Sequence, residues 1–170
     1  YNTTLLPVYT GFNKFPNLID TTGTSSKRCK NIVLRDFGVD GSDMEFFDDI
    51  EAGHWASLRL SYVDFASVST IFYYHGSHVI DVYSCHDYFI ENIIADYVFN
   101  VIHLTNPSGE NCKRGVIRNL KATRCATVID WGAGGIDTAV SGIHADARGY
   151  IRNDQEVFDI GGARNVQICD

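Results

Sequence analysis

Residues 118–135, RNLKATRCATVIDWGAGG, contain a short aliphatic alternation, a second apolar strand and a glycine turn. The same order returns in residues 141–163, SGIHADARGYIRNDQEVFDIGGA, and starts again in residues 164–170, RNVQICD. Similar segments that recur every 20 to 50 residues or so are typical of solenoid proteins. This stretch therefore predicts that each restart is one coil of a β-solenoid and that the coils stack on one another.

Aliphatic anchors mark where each coil begins. The last four anchors, Ile93, Leu120, Ile143 and Val166, lie 27, 23 and 23 residues apart. The earlier anchors Ile32, Leu58 and Ile80 are spaced unevenly, so one of them belongs to a second strand of the same coil or a loop breaks the register. Each anchor opens an apolar/polar alternation, which is the signal of a strand with one buried face. The next inward positions are then Leu34, Leu60, Val82, Ala95, Ala122, Ala145 and Ile168.

The predicted fold class is all-β: a single-stranded parallel β-helix of about seven coils that stack at about 4.8 Å. One domain spans residues 1–170, with residues 1–28 as an irregular lead-in. A β-sandwich or an antiparallel barrel is the alternative. The scarcity of tight hairpin signals argues against this alternative, because Asn-Gly is absent from the sequence and Asp40-Gly41 is the only Asp-Gly.

Composition narrows the possible partners. The chain has 14 Lys and Arg against 21 Asp and Glu, and this net charge of -7 argues against binding to a phosphate backbone. No apolar run approaches the roughly 18 residues of a membrane span, so we expect no membrane insertion. The five cysteines show no short repeated spacing and are interpreted as small buried residues of a protein assembled in a reducing environment.

The two ends of the sequence suggest a segment of a longer chain. Residue 1 is Tyr, and the first residues contain no basic stretch followed by an apolar stretch, so no signal peptide is visible. Solenoids need capped ends, and no amphipathic helix caps Cys169-Asp170. We therefore expect the polypeptide to continue into another segment or subunit.

Residues 91–135, with an NPSG loop at Asn106–Gly109 and a corner at Val128–Gly132, resemble the β-helix of bacteriophage tailspike proteins. The resemblance extends over residues 78–170 and includes the strand pattern of pectate-lyase-like β-helices in general. It implies a right-handed helix, a homotrimeric adhesin of the virion, and a bacterial surface polysaccharide, O-antigen or capsule, as partner. Tailspike hydrolases use groups of Asp and Glu, but no such group can be transferred here residue by residue.

Side chains that follow the anchors are predicted to form one outward polar stripe. Polysaccharide binding favours a mixture of charged donors, acceptors and aromatic faces, although a solvated β-helix face is polar in any case. The candidate binding residues are Tyr83, Tyr88, Trp131, Trp55, Arg59, Lys121 and His144.

Five carboxyls are the catalytic candidates: Asp81, Asp87, Glu91, Asp96 and Asp146. Asp96 and Asp146 occupy equivalent positions two coils apart, about 9.6 Å at 4.8 Å per coil, close to the carboxyl spacing of inverting glycosidases. Asp81, Asp87 and Glu91 lie in residues 77–92, SHVIDVYSCHDYFIEN, where disturbed coil spacing suggests an inserted loop along a groove. A bulge with packed tyrosines is the structural alternative.

No metal or cofactor is predicted. The acidic segment at residues 40–51 lacks the calcium-loop pattern, because Glu45 stands where glycine is required and Met44 where an oxygen ligand is needed. His75 and His78, or the adjacent Cys85 and His86, do not form a usual zinc motif. The aromatic stretch at residues 61–76 is interpreted as interior stacking or a subunit interface.

The leading functional hypothesis is a tailspike-like protein that recognises, and in its enzymatic form hydrolyses, bacterial surface polysaccharide. The alternative is a non-catalytic structural or adhesion β-helix of a virion or cell surface. A polysaccharide lyase is a third interpretation, and it would need calcium and a basic proton acceptor.

Overall fold

A computed structural model of the chain describes residues 3–5, 18–21, 23–41, 56–106, 109–132, 134–146, 148, 156–161 and 163–169. Trp55, Pro107, Ser108 and most of the acidic segment at residues 40–51 lie outside the described residues. Within the described residues the secondary structure is all β. That part of the chain includes no helix with the length and apolar character of a membrane span.

Ten strands of the described residues make up one sheet. They are β1 (Thr3–Leu5), β2 (Ile19–Asp20), β3 (Cys29–Asp40), β4 (Ala56–Ser61), β5 (Val63–Tyr83), β6 (His86–Thr105), β7 (Cys112–Asp130), β8 (Gly135–Asp146), β9 (Glu156–Asp159) and β10 (Arg164–Cys169). The main path runs β1-β3-β5-β6-β7-β8-β10, and every pairing among these strands is parallel. This arrangement is consistent with a parallel β-helix, whereas a hairpin-based sandwich or barrel would require antiparallel pairs.

Residues with left-handed backbone conformation bend the long strands at regular places. In β6 and β7 these residues occur every fifth position: Asp87, Asn92 and Tyr97, then Arg114, Asn119 and Arg124, with φ between 48° and 58°. A single residue at positive φ turns an extended chain, and Asn and Asp tolerate this conformation better than most residues. The bends stack from strand to strand, and Asn119 donates a hydrogen bond to Asn92 across 3.1 Å.

The bends divide the sheet into faces of four residues each. The first face comprises residues 32–35, 66–69, 88–91, 115–118, 138–141 and 166–169, which pair in register. The second face comprises residues 37–40, 71–74, 93–96, 120–123 and 143–146. The third face comprises residues 58–61, 80–83 and 102–105, continued by Ile129–Asp130 and Phe158–Asp159.

The register confirms part of the predicted column of anchors and corrects the rest. Ile93, Leu120 and Ile143 are direct partners on the second face. Val166, however, pairs with Thr138 on the first face, 28 residues earlier, and not with Ile143. Ile32 also lies on the first face, and Leu58 and Ile80 lie on the third, so the seven anchors belong to three columns.

The interior is apolar and tightly fitted. Ile71, Ile93 and Leu120 are fully buried on the second face, as are Leu58, Ile80 and Ile102 on the third. On the first face the buried ring of Tyr88 lies over Gly115, and the Tyr88 hydroxyl reaches the Thr138 hydroxyl at 2.9 Å. A large inward side chain on one strand is thus accommodated by a glycine on the next.

Candidate functional site

Two parallel columns of outward side chains run across the second face. Phe72, Ile94, Lys121 and His144 form one column, and Tyr74, Asp96, Thr123 and Asp146 form the other, each residue paired in register with the next. We call these eight residues the second-face surface. Successive members of a column belong to adjacent strands, which lie about 4.8 Å apart.

The second-face surface combines exposed rings with exposed charges. Phe72 is 55% exposed, Tyr74 42% and Ile94 40%, and Lys121 and His144 are also exposed. The rings lie on β5, at one end of the two columns, and the basic side chains lie on β7 and β8. The surface therefore offers apolar ring faces beside charged hydrogen-bonding groups.

Three hydrogen bonds hold the Asp96 carboxylate of this surface. Its Oδ1 accepts hydrogen bonds from Thr123 Oγ1 and Arg124 Nε, both at 2.8 Å, and its Oδ2 is bound by Arg124 Nη2. The Arg124 guanidinium also lies over the Tyr97 ring, 5.4 Å from its centroid. The hydrogen bond with Arg124 holds the pKa of Asp96 below its usual value, so this carboxyl is ionised near neutral pH.

Asp146 lies two strands from Asp96 in the same column, as the sequence predicted. It pairs with Arg148 through contacts of 2.8 and 2.6 Å. This hydrogen bonding lowers the pKa of Asp146 to about 2. Neither carboxyl of the proposed pair is therefore suited to hold a proton as a general acid, which requires a raised pKa.

Asp87 and Glu91 lie at the first face, next to the second-face surface along β6. Asp87 stands at the bend before the first face and Glu91 points outward from that face, each within a continuous strand and not within an inserted loop. Arg114 forms two hydrogen bonds with Asp87, at 2.6 and 2.7 Å, and Arg118 contacts Glu91 at 2.6 Å. The hydrogen bond from Arg114 lowers the pKa of Asp87.

Asp81 lies on the third face, apart from the other four carboxyls. It was predicted to point into solvent, but its side chain is fully buried, because the outer side of this strand is covered. In register, Arg59, Asp81, His103 and Asp130 form one polar column on four successive strands. The single predicted stripe is therefore split between three faces.

Hydrogen bonds and charges surround Asp81. Its Oδ1 lies 2.9 Å from His103 Nδ1, and its Oδ2 accepts a hydrogen bond from the Tyr83 hydroxyl at 3.4 Å. Burial works to raise the pKa of Asp81, but the hydrogen bond with His103 and the nearby positive charges outweigh burial and lower it. Burial and the Asp81 charge together raise the pKa of Tyr83 to about 12.

The remaining predicted binding residues differ in how far they are accessible. Trp131 and Tyr88 are fully buried, so neither ring presents a face to a sugar in this structure. Trp131 instead packs near Phe158, with ring centroids 6.0 Å apart. Arg59 is partly buried and lies over the Tyr83 ring, 4.9 Å from its centroid. Trp55 lies outside the described residues.

Sequence reasoning missed Phe72, Tyr74 and Arg124 as site residues, and it also missed His78, His103 and Asp130. Partners of five of these residues lie 22 to 28 residues away along the chain, on adjacent strands, whereas His78 contacts Asp81 three residues away on its own strand. The strand register is the signal that would have found them, because it places Tyr74 beside Asp96 and Asp81 beside His103.

No protein-family model, curated protein or solved structure matches this chain.

Proposed function

We propose that this protein is a tailspike-like receptor-binding protein that recognises bacterial surface polysaccharide, O-antigen or capsule, through the second-face surface. The proposal includes a right-handed β-helix of about seven coils and a homotrimer that forms part of a virion. The observation that carries it is the pairing, in register, of exposed rings with ordered charged groups over four strands. Sugar rings stack on aromatic faces, while their hydroxyls bind charged donors and acceptors.

Recognition without cleavage is the form of this function that the geometry favours. Hydrolysis of a glycosidic bond needs a carboxylic acid that keeps its proton at the working pH. Four of the five candidate carboxyls, Asp81, Asp87, Asp96 and Asp146, have a lowered pKa. An arginine engaged with Asp96 orders that carboxylate as an acceptor for sugar hydroxyls and does not activate it as an acid.

Two phenylalanines provide a matched test of the binding surface. Phe72 on the second face is 55% exposed and Phe89 on the first face is 49% exposed, so both substitutions to alanine remove a similar exposed ring. We expect Phe72→Ala to weaken binding to the recognised polysaccharide about tenfold, or ~1.4 kcal/mol, and Phe89→Ala to leave it unchanged. Binding is measured by surface plasmon resonance against a panel of capsular and O-antigen polysaccharides.

Equal loss in both variants, or no polysaccharide retained from a broad panel, would count against the second-face surface as the receptor site. New reducing ends in the same incubations would favour hydrolysis over recognition alone. An unsaturated, ultraviolet-absorbing product would instead favour a lyase.

A further inference from the structure

The third face contains a group of metal-ligating side chains that the polysaccharide surface does not use. His78 and Asp81 belong to β5 and His103 to β6. Of the His, Cys, Asp and Glu residues that the structure describes, these three form the one group whose ligand atoms all lie within 4.8 Å of one another. We call them the His78–Asp81–His103 triad. We propose that this triad binds a divalent transition-metal ion of the zinc type.

The ligand atoms converge on one oxygen. Asp81 Oδ1 lies 2.9 Å from His103 Nδ1 and 4.0 Å from His78 Nδ1. Tetrahedral zinc with bonds of 2.0 to 2.1 Å separates its ligand atoms by about 3.3 Å. The two separations from Asp81 Oδ1 lie on either side of that value and within an ångström of it, and the ligand atoms of the two histidines lie within 4.8 Å of each other.

The other oxygen of Asp81 is already occupied. Tyr83 donates a hydrogen bond to Oδ2 at 3.4 Å, and Arg59 Nη2 lies 3.6 Å from the same atom. Both long contacts lie on the Oδ2 side of the carboxylate, while Oδ1 faces both imidazoles. A carboxylate placed in this way can act as a ligand through Oδ1.

The histidine rings are also held in place. His78 and His103 stack with centroids 5.0 Å apart and an angle of 18° between their planes. Phe99 packs against His78 edge to face, with ring centroids 5.9 Å apart. Burial restrains the triad further, because His78 is 1% exposed and Asp81 is fully buried. Rigid, buried imidazoles lose little freedom when they coordinate an ion.

A second layer of contacts places a carboxylate near the other nitrogen of His103, although beyond hydrogen-bond distance. The second nitrogen of His103, Nε2, lies 3.8 Å from Asp130 Oδ2, and Asn100 donates a hydrogen bond to that same oxygen at 3.0 Å. Metal-ligating histidines usually direct their other ring nitrogen to a carboxylate, which orients the ring and raises its basicity. With both imidazoles neutral, as metal ligands must be, Asp81 and Asp130 supply two negative charges against the one positive charge of Arg59.

Three protein ligands leave one position of a tetrahedral ion free. Such open sites are typical of catalytic zinc, where the fourth ligand is water. His103 is the most exposed member of the triad, with 12% of its side chain accessible, so the free position is nearest to solvent on that side. The inference does not depend on polysaccharide recognition, because no member of the triad belongs to the second-face surface.

Zinc titration of the full 170-residue chain, prepared without a histidine tag and treated with a chelator, tests the proposal. Isothermal titration calorimetry should find one zinc ion per chain. We expect His78→Asn and His103→Gln each to weaken zinc binding at least about 100-fold, while His144→Ala, which removes an exposed histidine on the second face, leaves it unchanged. Cobalt in place of zinc should give the visible absorption of a tetrahedral site in wild type and in His144→Ala only.

Asp130→Asn provides a variant that keeps all three ligands. Loss of an outer-shell carboxylate typically costs 10-fold to 100-fold in metal affinity, so we expect about a tenfold loss here. Far-UV circular dichroism before titration verifies that each variant is folded. The proposal would be overturned if the wild type took up no zinc, or if His78→Asn and His103→Gln bound zinc as tightly as the wild type. Loss of the site in His144→Ala would also overturn it.

Discussion

At the scale of single residues, the interior is fitted by pairs of large and small side chains on successive strands. A β-carbon added to Gly115 would come within 2.1 Å of the Tyr88 ring, and one added to Gly135 within 2.1 Å of Trp131. Tyr88 cannot retreat easily, because its ring is fully buried and its hydroxyl is hydrogen-bonded to Thr138. Glycine is therefore required at these positions by space and not by backbone conformation.

We predict that Gly115→Ala destabilises the protein by about 1 to 3 kcal/mol, the usual cost of overpacking a core. Urea unfolding followed by circular dichroism measures the difference from wild type. Gly161→Ala is the control, because a β-carbon at this exposed position meets no atom closer than 3.5 Å. A Gly115→Ala variant as stable as Gly161→Ala would contradict the close contact between Tyr88 and Gly115.

At the scale of secondary structure, arginines on β7 tie this strand to β6. Arg114, Arg118 and Arg124 contact Asp87, Glu91 and Asp96, respectively, at sequence separations of 27 or 28 residues. Exposed ion pairs contribute little individually, about 0.2 to 1 kcal/mol each. Their effect here is on register, because slipping β7 by one residue would move every arginine to the other side of the strand.

The pH dependence of stability follows from the Asp96–Arg124 contact. Asp96 has a lowered pKa in the folded protein, so its contribution is present above its ordinary pKa near 3.8 and is lost as the pH falls through the lowered value. We predict that Arg124→Gln loses less than about 1 kcal/mol at pH 7 and shows a shallower fall in stability towards pH 2.

Urea midpoints measured between pH 7 and pH 2 test this prediction. Lys121→Gln, on the same strand as Arg124, removes a charge without touching that ion pair, so its stability should fall towards pH 2 as steeply as that of wild type. If the urea midpoints of wild type and Arg124→Gln fall equally steeply towards pH 2, the arginine does not stabilise the ionised Asp96 carboxylate, which would contradict the prediction.

At the scale of the whole molecule, the sequence predicted parallel stacking but not which face each strand segment occupies. Ile93, Leu120 and Ile143 aligned as expected because one apolar residue opens each second-face segment. Val166 did not, because the first and second faces share the same five-residue pattern of two inward residues, two outward residues and a bend. A five-residue slip between the NVQIC and GIHAD segments leaves that pattern intact.

The candidate site was only partly predictable for a related reason. Alternation indicates that Asp81 lies on the opposite side of its strand from Ile80 and Val82, but it cannot say whether that side is covered. Asp96 and Asp146 were placed correctly in one column, yet Arg124 lies 28 residues from Asp96 and follows a bend. Ion pairs of this kind depend on the register, which a single sequence does not specify.

Both proposals depend on parallel strands that bring residues 22 to 28 positions apart side by side. Nuclear Overhauser effects between backbone protons test this placement most directly. Parallel stacking predicts contacts that connect Lys121 with Ile94 on one side and with His144 on the other. Close contacts between α-protons of neighbouring strands, which are characteristic of antiparallel pairs, would contradict it. So would contacts that connect Lys121 with residues other than these two partners and their immediate neighbours.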